Sequence, residues 1–523
     1  MNIKVQACGI ILLIVILAFY LHQKKIKLNT EQAFLRMFLF IAASLTLDII
    51  SMVVLRYIHL FSELFVDIIC KAYISSLVAV AFNGLRYTCA DIYMNQKSYR
   101  MWTTIYGILT GVGILLIYIL PIQKNIDDPQ NAYTEGPSVL VTYAFCMLYI
   151  LIILFLLFRH KKDMNPRRRE AIFGWITLWL GAAGIPFFNN RLLLVGYAGA
   201  ISIMIIYLYL ENPETNLDRQ TGLFNSSAFL GYMRQIFGSE EDAALIDIRI
   251  MTPIISNDTE EDQRIWIEIS AYFSDIPNCL AFKGMEGELI LITESDSRQD
   301  VLELVEDRFD MGWGANQALM ITPDIIVMPS VRIVNQPEDI LPCLQYAKMN
   351  SIEVAETGTV ILNEDITSQM YEEHLVEQLI TDAISGDWVQ VYYQPIFSTR
   401  ERKFVSAEAL SRIVDSEGKV IPPGMFIDVA EKNGMILKLG ELVFKKVCQF
   451  ISQNDLKALG IRYIEVNLST VQGAYEFLAD SFIEIMEWYH IDPAMINLEI
   501  TETGSIGSRK ILLNNMRKLI DYG

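Results

Sequence analysis

From Met1 to about Glu211 the apolar residues gather into seven blocks parted by short polar breaks: 4–21, 37–56, 65–85, 101–121, 138–158, 170–188 and 192–210. Each approaches the ~20 residues that carry an α-helix across a bilayer. Ile10–Phe19 and Val139–Phe158 contain no charged residue. A soluble core able to bury seven such helices in succession is out of proportion to the chain, so the pattern predicts a seven-helix transmembrane bundle. The first block has only Lys4 ahead of it, lacks a small-residue cleavage site and carries its positive charge behind it. That marks an uncleaved anchor rather than a signal peptide.

Beyond the polar linker Glu211–Asn216, with Pro213 inside it, the pattern becomes α/β. A helix is predicted at Ala228–Ile236, and strand and helix segments follow at Ala243–Ile250, Ile265–Phe273, Leu280–Thr293, Ile321–Val334 and Ile340–Met349. From about Tyr371 it changes again. Glu372–Ser385 reads as a helix. Strands are predicted at Val389–Phe397, Phe404–Arg412, Arg462–Ser469 and Met495–Thr501. Helical patterns separate them at Gly424–Gly434 with Lys438–Gln453, at Ala474–His490 and at Arg509–Tyr522. Such alternation predicts a mainly parallel sheet or a barrel.

A chain of 523 residues is too long for one core. A hydrophobic content of 52% and a mean hydropathy of +0.32 agree with a membrane region. Basic residues orient it. Lys24, Lys25 and Lys27, then Arg86, Lys97 and Arg100, then Arg159, Lys161, Lys162 and Arg167–Arg169 fall in alternate loops. The loop Pro121–Pro137 has only Lys124 against Asp127, Asp128 and Glu135. The amino terminus is therefore expected outside the cell membrane, and everything after the seventh helix in the cytoplasm. The net charge of −19, carried mostly by that cytoplasmic part, argues against a nucleic-acid partner. Seven cysteines without CxxC spacing read as apolar filler. Asp48, Asp67, Lys71 and Asn83 stand in or near the second and third blocks, where polar groups are expensive. Asp67 and Lys71, four apart, read equally as a self-neutralising pair and as a ligand or ion site.

Parity locates the chemistry in the last domain. Tyr463, Glu465, Asn467 and Ser469 share one side of their strand, opposite Ile464, Val466 and Leu468. Asn497, Glu499 and Thr501 oppose Ile496, Leu498 and Ile500, and Phe404, Ser406, Glu408, Leu410 and Arg412 share a face. In a barrel covered by helices the polar sets would meet inside. Glu408, Asn467 and Glu499 are then three oxygen donors on consecutive strands. Without histidine or cysteine they suit a hard cation, Mg²⁺ or Mn²⁺. Arg412 could meet a phosphate.

Two resemblances follow. Leu217-Asp218-Arg219-Gln220-Thr221-Gly222-Leu223-Phe224-Asn225 before a helix, and Ala347-Lys348 later, resemble GGDEF domains, the fold of diguanylate cyclases. The signature hairpin aligns with Met285-Glu286-Gly287-Glu288-Leu289 and keeps one carboxylate; Asp247 matches a metal position of that family. Met285 and Glu286 put bulk and charge where glycines must admit phosphate, so no cyclase activity is expected, and GTP remains as a regulatory ligand. Tyr393-Gln394-Pro395-Ile396, Glu408-Ala409-Leu410-Ser411-Arg412, Phe426-Ile427 with Ala430-Glu431, Val466-Asn467-Leu468-Ser469 and Leu498-Glu499-Ile500-Thr501-Glu502 resemble, in order, the motifs of EAL domains. Those are (β/α) barrels that hydrolyse cyclic di-GMP to the linear dinucleotide with Mg²⁺ or Mn²⁺. The resemblance implies metal ligands at Glu408, Asn467 and Glu499, dinucleotide contacts from Gln394 and Arg412, and supporting roles for Glu431 and Glu502.

The fold expected is multidomain: a seven-helix bundle over 1–211, a degenerate GGDEF-like domain over 212–365 and an incomplete EAL-type barrel over 371–523. A full (β/α)₈ barrel needs about 250 residues. The family's bridging aspartates and catalytic lysine are therefore expected beyond position 523, and the chain as it stands is expected to be inactive. The partners expected are cyclic di-GMP, the membrane and a second copy of the chain. A phosphodiesterase and a non-catalytic cyclic-di-GMP receptor are the competing readings. A transporter is a third, weakened by the absence of an inverted repeat.

Overall fold

The structure is a computed structural model that describes residues 3–26, 28–93, 96–125, 133–161, 164, 166–188, 195–250, 260–285, 287–350, 358–415, 417–500 and 509–523. Lys27, Asp127, Asp128, Lys162, Glu286, Thr501 and Glu502, named above, lie outside the described residues. The chain divides into two compact units, Met1–Asn363 and Glu364–Gly523.

The first unit opens with helices α1 (Ile3–His22), α2 (Asn29–Arg56), α3 (Glu63–Ile92), α4 (Gln96–Ile119), α5 (Pro137–Arg159), α6 (Pro166–Phe188) and α7 (Val195–Ile206). α7 runs on through a π turn at Tyr207–Glu211 and a 3-10 turn at Pro213–Asn216. Among the described residues six helical segments are long and apolar enough to cross a membrane: Lys4–His22, Asn29–Arg56, Glu63–Ile92, Lys97–Ile119, Pro137–Arg159 and Val195–Asn216. α6 carries Arg167, Arg168, Arg169 and Glu170 in its opening turns. Gly84 of α3 lets the Trp175 ring of α6 lie against its backbone: a Cβ there would fall 1.9 Å from the ring.

α3 outruns its apolar block because polar side chains at its end find partners. α3 continues to Ile92, where Arg168 Nη1 meets Asp91 at 2.7 Å and Nη2 meets Glu211 at 2.6 Å. Tyr87 Oη donates to the same Glu211 carboxylate at 2.5 Å. One guanidinium thus joins α3, α6 and the end of α7. The pairing of Asp67 with Lys71 is not formed. Asp67 takes Lys124 at 2.5 Å, while Lys71 donates to the carbonyls of Tyr118 and Leu120 at 3.0 and 2.8 Å. Lys124 reaches Asp67 because it sits on β1 (Gln123–Asn125), which pairs antiparallel with β2 (Tyr133–Glu135). Asp48 is buried and accepts from Gln6 Nε2 at 3.3 Å. Asn83 donates to Ala79 O one turn back at 2.8 Å.

The same unit holds an antiparallel sheet with one parallel edge, in the order β4-β5-β3-β6-β7: β3 is Ala244–Ile250, β4 Cys279–Lys283, β5 Glu288–Thr293, β6 Pro323–Met328 and β7 Thr359–Ile361. Helices α8 (Ser226–Phe237), α9 (Glu260–Ser274), α10 (Arg298–Asp310) and α11 (Ile340–Asn350) accompany it. Ahead of α8, Asp218 Oδ1 accepts from Thr221 N and Oγ1 at 3.1 and 2.8 Å, with Gly222 at φ +70°. Asn225 then caps α8 through Ala228 N. The turn between α1 and α2 touches this domain, Lys24 Nζ donating to Ser274 O at 2.9 Å and Asn29 N to Gln235 Oε1 at 2.7 Å.

The second unit begins with α12 (Glu364–Ser385), which starts before Tyr371. Its strands are β8 (Val389–Ser398), β9 (Lys403–Val414), β10 (Val420–Ile421), β11 (Tyr463–Leu468) and β12 (Ile496–Ile500). β9, β11 and β12 are parallel. β8 and β10 run antiparallel to β9, against the expectation of a mainly parallel sheet. The reason is local: only Thr399–Arg402 separate β8 from β9, too few for a crossover helix. Helices α13 (Ile427–Lys432), α14 (Ile436–Gln453), α15 (Thr470–Gly473), α16 (Leu478–Tyr489) and α17 (Arg509–Tyr522) complete the unit. Ala407, Ala409, Ile464, Val466 and Leu468 are buried together with Phe444, Val447 and Phe482 of α14 and α16. That packing turns the opposite face of the sheet into the site.

Candidate functional site

Four residues form a row across the second unit's sheet. Gln394 of β8 stands opposite Glu408 of β9 in the antiparallel register, so both project to the same face. Asn467 of β11 stands opposite Glu499 of β12 in the parallel register. Asn467 Nδ2 donates to Glu408 Oε1 at 2.7 Å, joining the two pairs. Gln394, Asn467 and Glu499 are exposed and Glu408 is half-buried.

Arg412 lies four residues beyond Glu408 on the same face, opposite Gln390. Its guanidinium sits 5.9 Å from the Tyr392 ring centre, and Nη1 donates to Ser411 O at 2.7 Å. No carboxylate holds it among the described ion pairs, so its remaining donors stay available to an anion. Glu465 and Asn497 also belong to this face. Glu465 stands opposite Glu408 and Asn497 in register and accepts from Ser406 Oγ at 3.4 Å. The parity of β11 already placed Glu465 there, but no motif drew attention to it.

The row is held from behind. Ser469, two residues after Asn467, caps α15: its Oγ accepts from Val471 N at 3.2 Å, and Gln472 Oε1 accepts from Ser469 N at 3.2 Å. Buried Asn515 of α17 donates to Gly473 O and Tyr475 O at 3.0 and 2.8 Å. It clamps the segment that follows β11. Nothing in the sequence pattern singled out Asn515. On the core side, Tyr393 stacks on Phe450 with ring centres 4.1 Å apart, and burial pushes its phenol up.

For a cation the row offers two carboxylates and an amide. No group of three or more His, Cys, Asp or Glu side chains suited to a metal occurs among the described residues. Neither Glu408 nor Glu499 is ion-paired to a lysine or arginine among the described residues. No protein cation neutralises either carboxylate among the described residues; Glu408 is met by the Asn467 amide. Two carboxylates and an amide are oxygen donors of the kind a hard divalent cation takes.

The carboxylates of the first unit behave differently. Lys348 Nζ of α11 lies 2.8 Å from Asp247 Oδ2 on β3 and 2.8 Å from Glu288 Oε1 on β5. Burial pushes the Asp247 carboxyl up to about 6, with Lys348 opposing. Asp218 pairs with Lys283 at 3.0 Å. Burial raises its pKa, but the hydrogen bonds from Lys283 and Thr221 outweigh that and hold it below the usual carboxylate value.

Comparison with known proteins places residues 377–523 in the EAL domain family. The signaling protein YkoW of Bacillus subtilis is 29% identical over 144 residues, which is 28% of this chain and 17% of YkoW. Cyclic di-GMP phosphodiesterase PdeA of Borreliella burgdorferi is 27% identical over 189 residues, 35% of this chain and 28% of PdeA. Among solved structures, a complex named PaMucR phosphodiesterase with c-di-GMP is 26% identical over 28% of this chain and 60% of its own, at a TM-score of 0.26. The chain thus spans less than a third of the length of the two curated relatives named.

Proposed function

We propose that this chain, whose residues 377–523 are an EAL domain, is a membrane-anchored cyclic-di-GMP signalling protein of the phosphodiesterase class. Seven helices over 1–211 anchor it with the amino terminus outside. A non-catalytic GGDEF-like domain over 212–365 relays to the EAL domain over 371–523 in the cytoplasm. The observation that carries the reading is the row Gln394–Glu408–Asn467–Glu499 with Arg412 beside it. The orientation is supported by the basic turn at Lys24 and by Lys97, which pairs with Glu240 at 3.1 Å. Both touch the middle domain and so share its side of the membrane.

In this reading Gln394 and Arg412 hold the dinucleotide, the guanidinium taking a phosphate in a charge-assisted contact. Glu408, Asn467 and Glu499 are the residues that would hold Mg²⁺ or Mn²⁺. Such an ion supplies neutralisation of phosphate charge and a more acidic bound water. The capped turn at Ser469–Gly473 holds the end of β11, and with it Asn467, in register with its neighbours.

A second reading is a receptor that binds without cutting. It is favoured by the Asn467–Glu408 hydrogen bond, which satisfies that carboxylate without a cation. Titration of cyclic di-GMP with and without Mn²⁺ separates the two. Binding that strengthens with Mn²⁺, and loses that gain in Glu408→Ala, supports the phosphodiesterase class. Binding that ignores Mn²⁺ supports the receptor. Absence of binding under both conditions overturns both.

A further inference from the structure

The resemblance of residues 212–365 to GGDEF domains implies a divalent cation on Asp247 and on the carboxylate surviving in the hairpin, Glu288. The residues as placed do not fit one. Asp247 is 1% exposed and Glu288 6%, and the Lys348 ammonium lies 2.8 Å from an oxygen of each. Of the remaining oxygens, Glu288 Oε2 accepts from Met285 N at 3.0 Å, folding the side chain back onto its own hairpin, and Asp247 Oδ1 alone is left without a partner among the described residues. A Cβ at Gly284 would lie 2.7 Å from the Glu288 Cβ, which shows how tightly that hairpin closes.

A cation entering here would displace an ammonium that is itself only 9% exposed, and would face its charge at close range in a water-poor pocket. Ala347, fully buried, fixes in the core the turn of α11 from which Lys348 reaches both carboxylates. We infer that Lys348 is the resident cation of the middle domain, a clamp joining α11, β3 and the β4–β5 hairpin in place of a metal. The inference rests on the GGDEF-like reading of that domain, not on the EAL site. It makes the domain a metal-free relay.

The test uses the full chain in nanodiscs with Glu408→Gln and Glu499→Gln, so that the EAL residues contribute no Mn²⁺ site. Electron paramagnetic resonance counts bound Mn²⁺. In that background Asp247→Asn should change nothing, because Asp247 holds no metal. Lys348→Met should gain one Mn²⁺ per chain, and adding Asp247→Asn should remove it. An Asp247-dependent Mn²⁺ site with Lys348 intact, or no gain in a folded Lys348→Met chain, overturns the inference. Should Lys348→Met fail to fold, acylation of amines mapped by mass spectrometry decides instead. Lys348 should stay unmodified in the native chain with and without saturating Mn²⁺, and modification on adding Mn²⁺ overturns the inference.

Discussion

Asn467 Nδ2 lies 2.7 Å from Glu408 Oε1, tying the parallel strands β11 and β9 together on the face opposite the core. The contact matters because Asn467 also stands in register with Glu499. One amide therefore sits between both carboxylates of the row. Asn467→Ala should leave the fold intact, since the side chain is exposed. It should weaken Mn²⁺ at the EAL site by at least the roughly 10–100-fold that loss of an outer-shell partner costs. Isothermal titration with Mn²⁺ checks this, and unchanged affinity would remove Asn467 from the ligand set.

Asn515→Ala tests the clamp behind the row. Buried Asn515 answers the carbonyls of Gly473 and Tyr475, and its loss leaves them unpaired. A destabilisation of about 1–3 kcal/mol is expected. It would appear in chemical denaturation followed through the second unit's lone Trp pair, Trp388 and Trp488. A change near zero would mean that water replaces the amide.

Acid sensitivity of the middle domain follows from Asp218. Its carboxyl is held below the usual value by hydrogen bonds from Lys283 and Thr221 that outweigh burial. A depressed folded-state pKa adds stability above the unfolded value, about 3.9, and loses it as pH falls through the folded value. Asp218→Asn should therefore cost about 1 kcal/mol at pH 7, discounted for the partial exposure of the pair. The gap to the unmutated chain should close below about pH 4. Paired melts across pH measure it, and a gap that widens in acid would reverse the sign.

Gly84→Ala probes the helix bundle. The added methyl would fall 1.9 Å from the Trp175 ring, and overpacking of this kind costs about 1–3 kcal/mol. Thermal unfolding in nanodiscs should show it, and Gly111→Ala, with open space around it, should not.

Much of this was legible in the sequence because it depends on short-range periodicity. The alternation in Tyr463–Leu468 and Ile496–Ile500 placed Asn467 and Glu499 on one face, and uninterrupted apolar runs marked the helices. What was not legible depends on side chains meeting across distance. Asp67 and Lys71 are spaced as a pair, yet a hairpin brings Lys124 to Asp67 and leaves Lys71 to cap carbonyls. Asp247, Glu288 and Lys348 come from three separate segments, and only packing shows that the lysine occupies both acids. The antiparallel β8 followed from a four-residue connection that strand–helix alternation obscures.

The orientation of the membrane helices is open to a direct check. Tags after Met1 and within Pro121–Pro137 should be reached by an impermeant reagent outside intact cells, and a tag within Asp163–Arg169 should not. Labelling of the last would invert the orientation proposed from the basic loops.

The most direct measurement is cyclic-di-GMP binding by the full chain in nanodiscs, compared with its Gln394→Ala/Arg412→Ala double variant. Both residues stand on the exposed face of β8 and β9 rather than in the core, so the variant should fold. If the row is a dinucleotide site, the unmutated chain binds cyclic di-GMP and the double variant binds at least about a hundredfold more weakly, the loss of two polar contacts at ~1.4 kcal/mol per tenfold. Equal affinity in the two chains would contradict the assignment of this face to cyclic di-GMP.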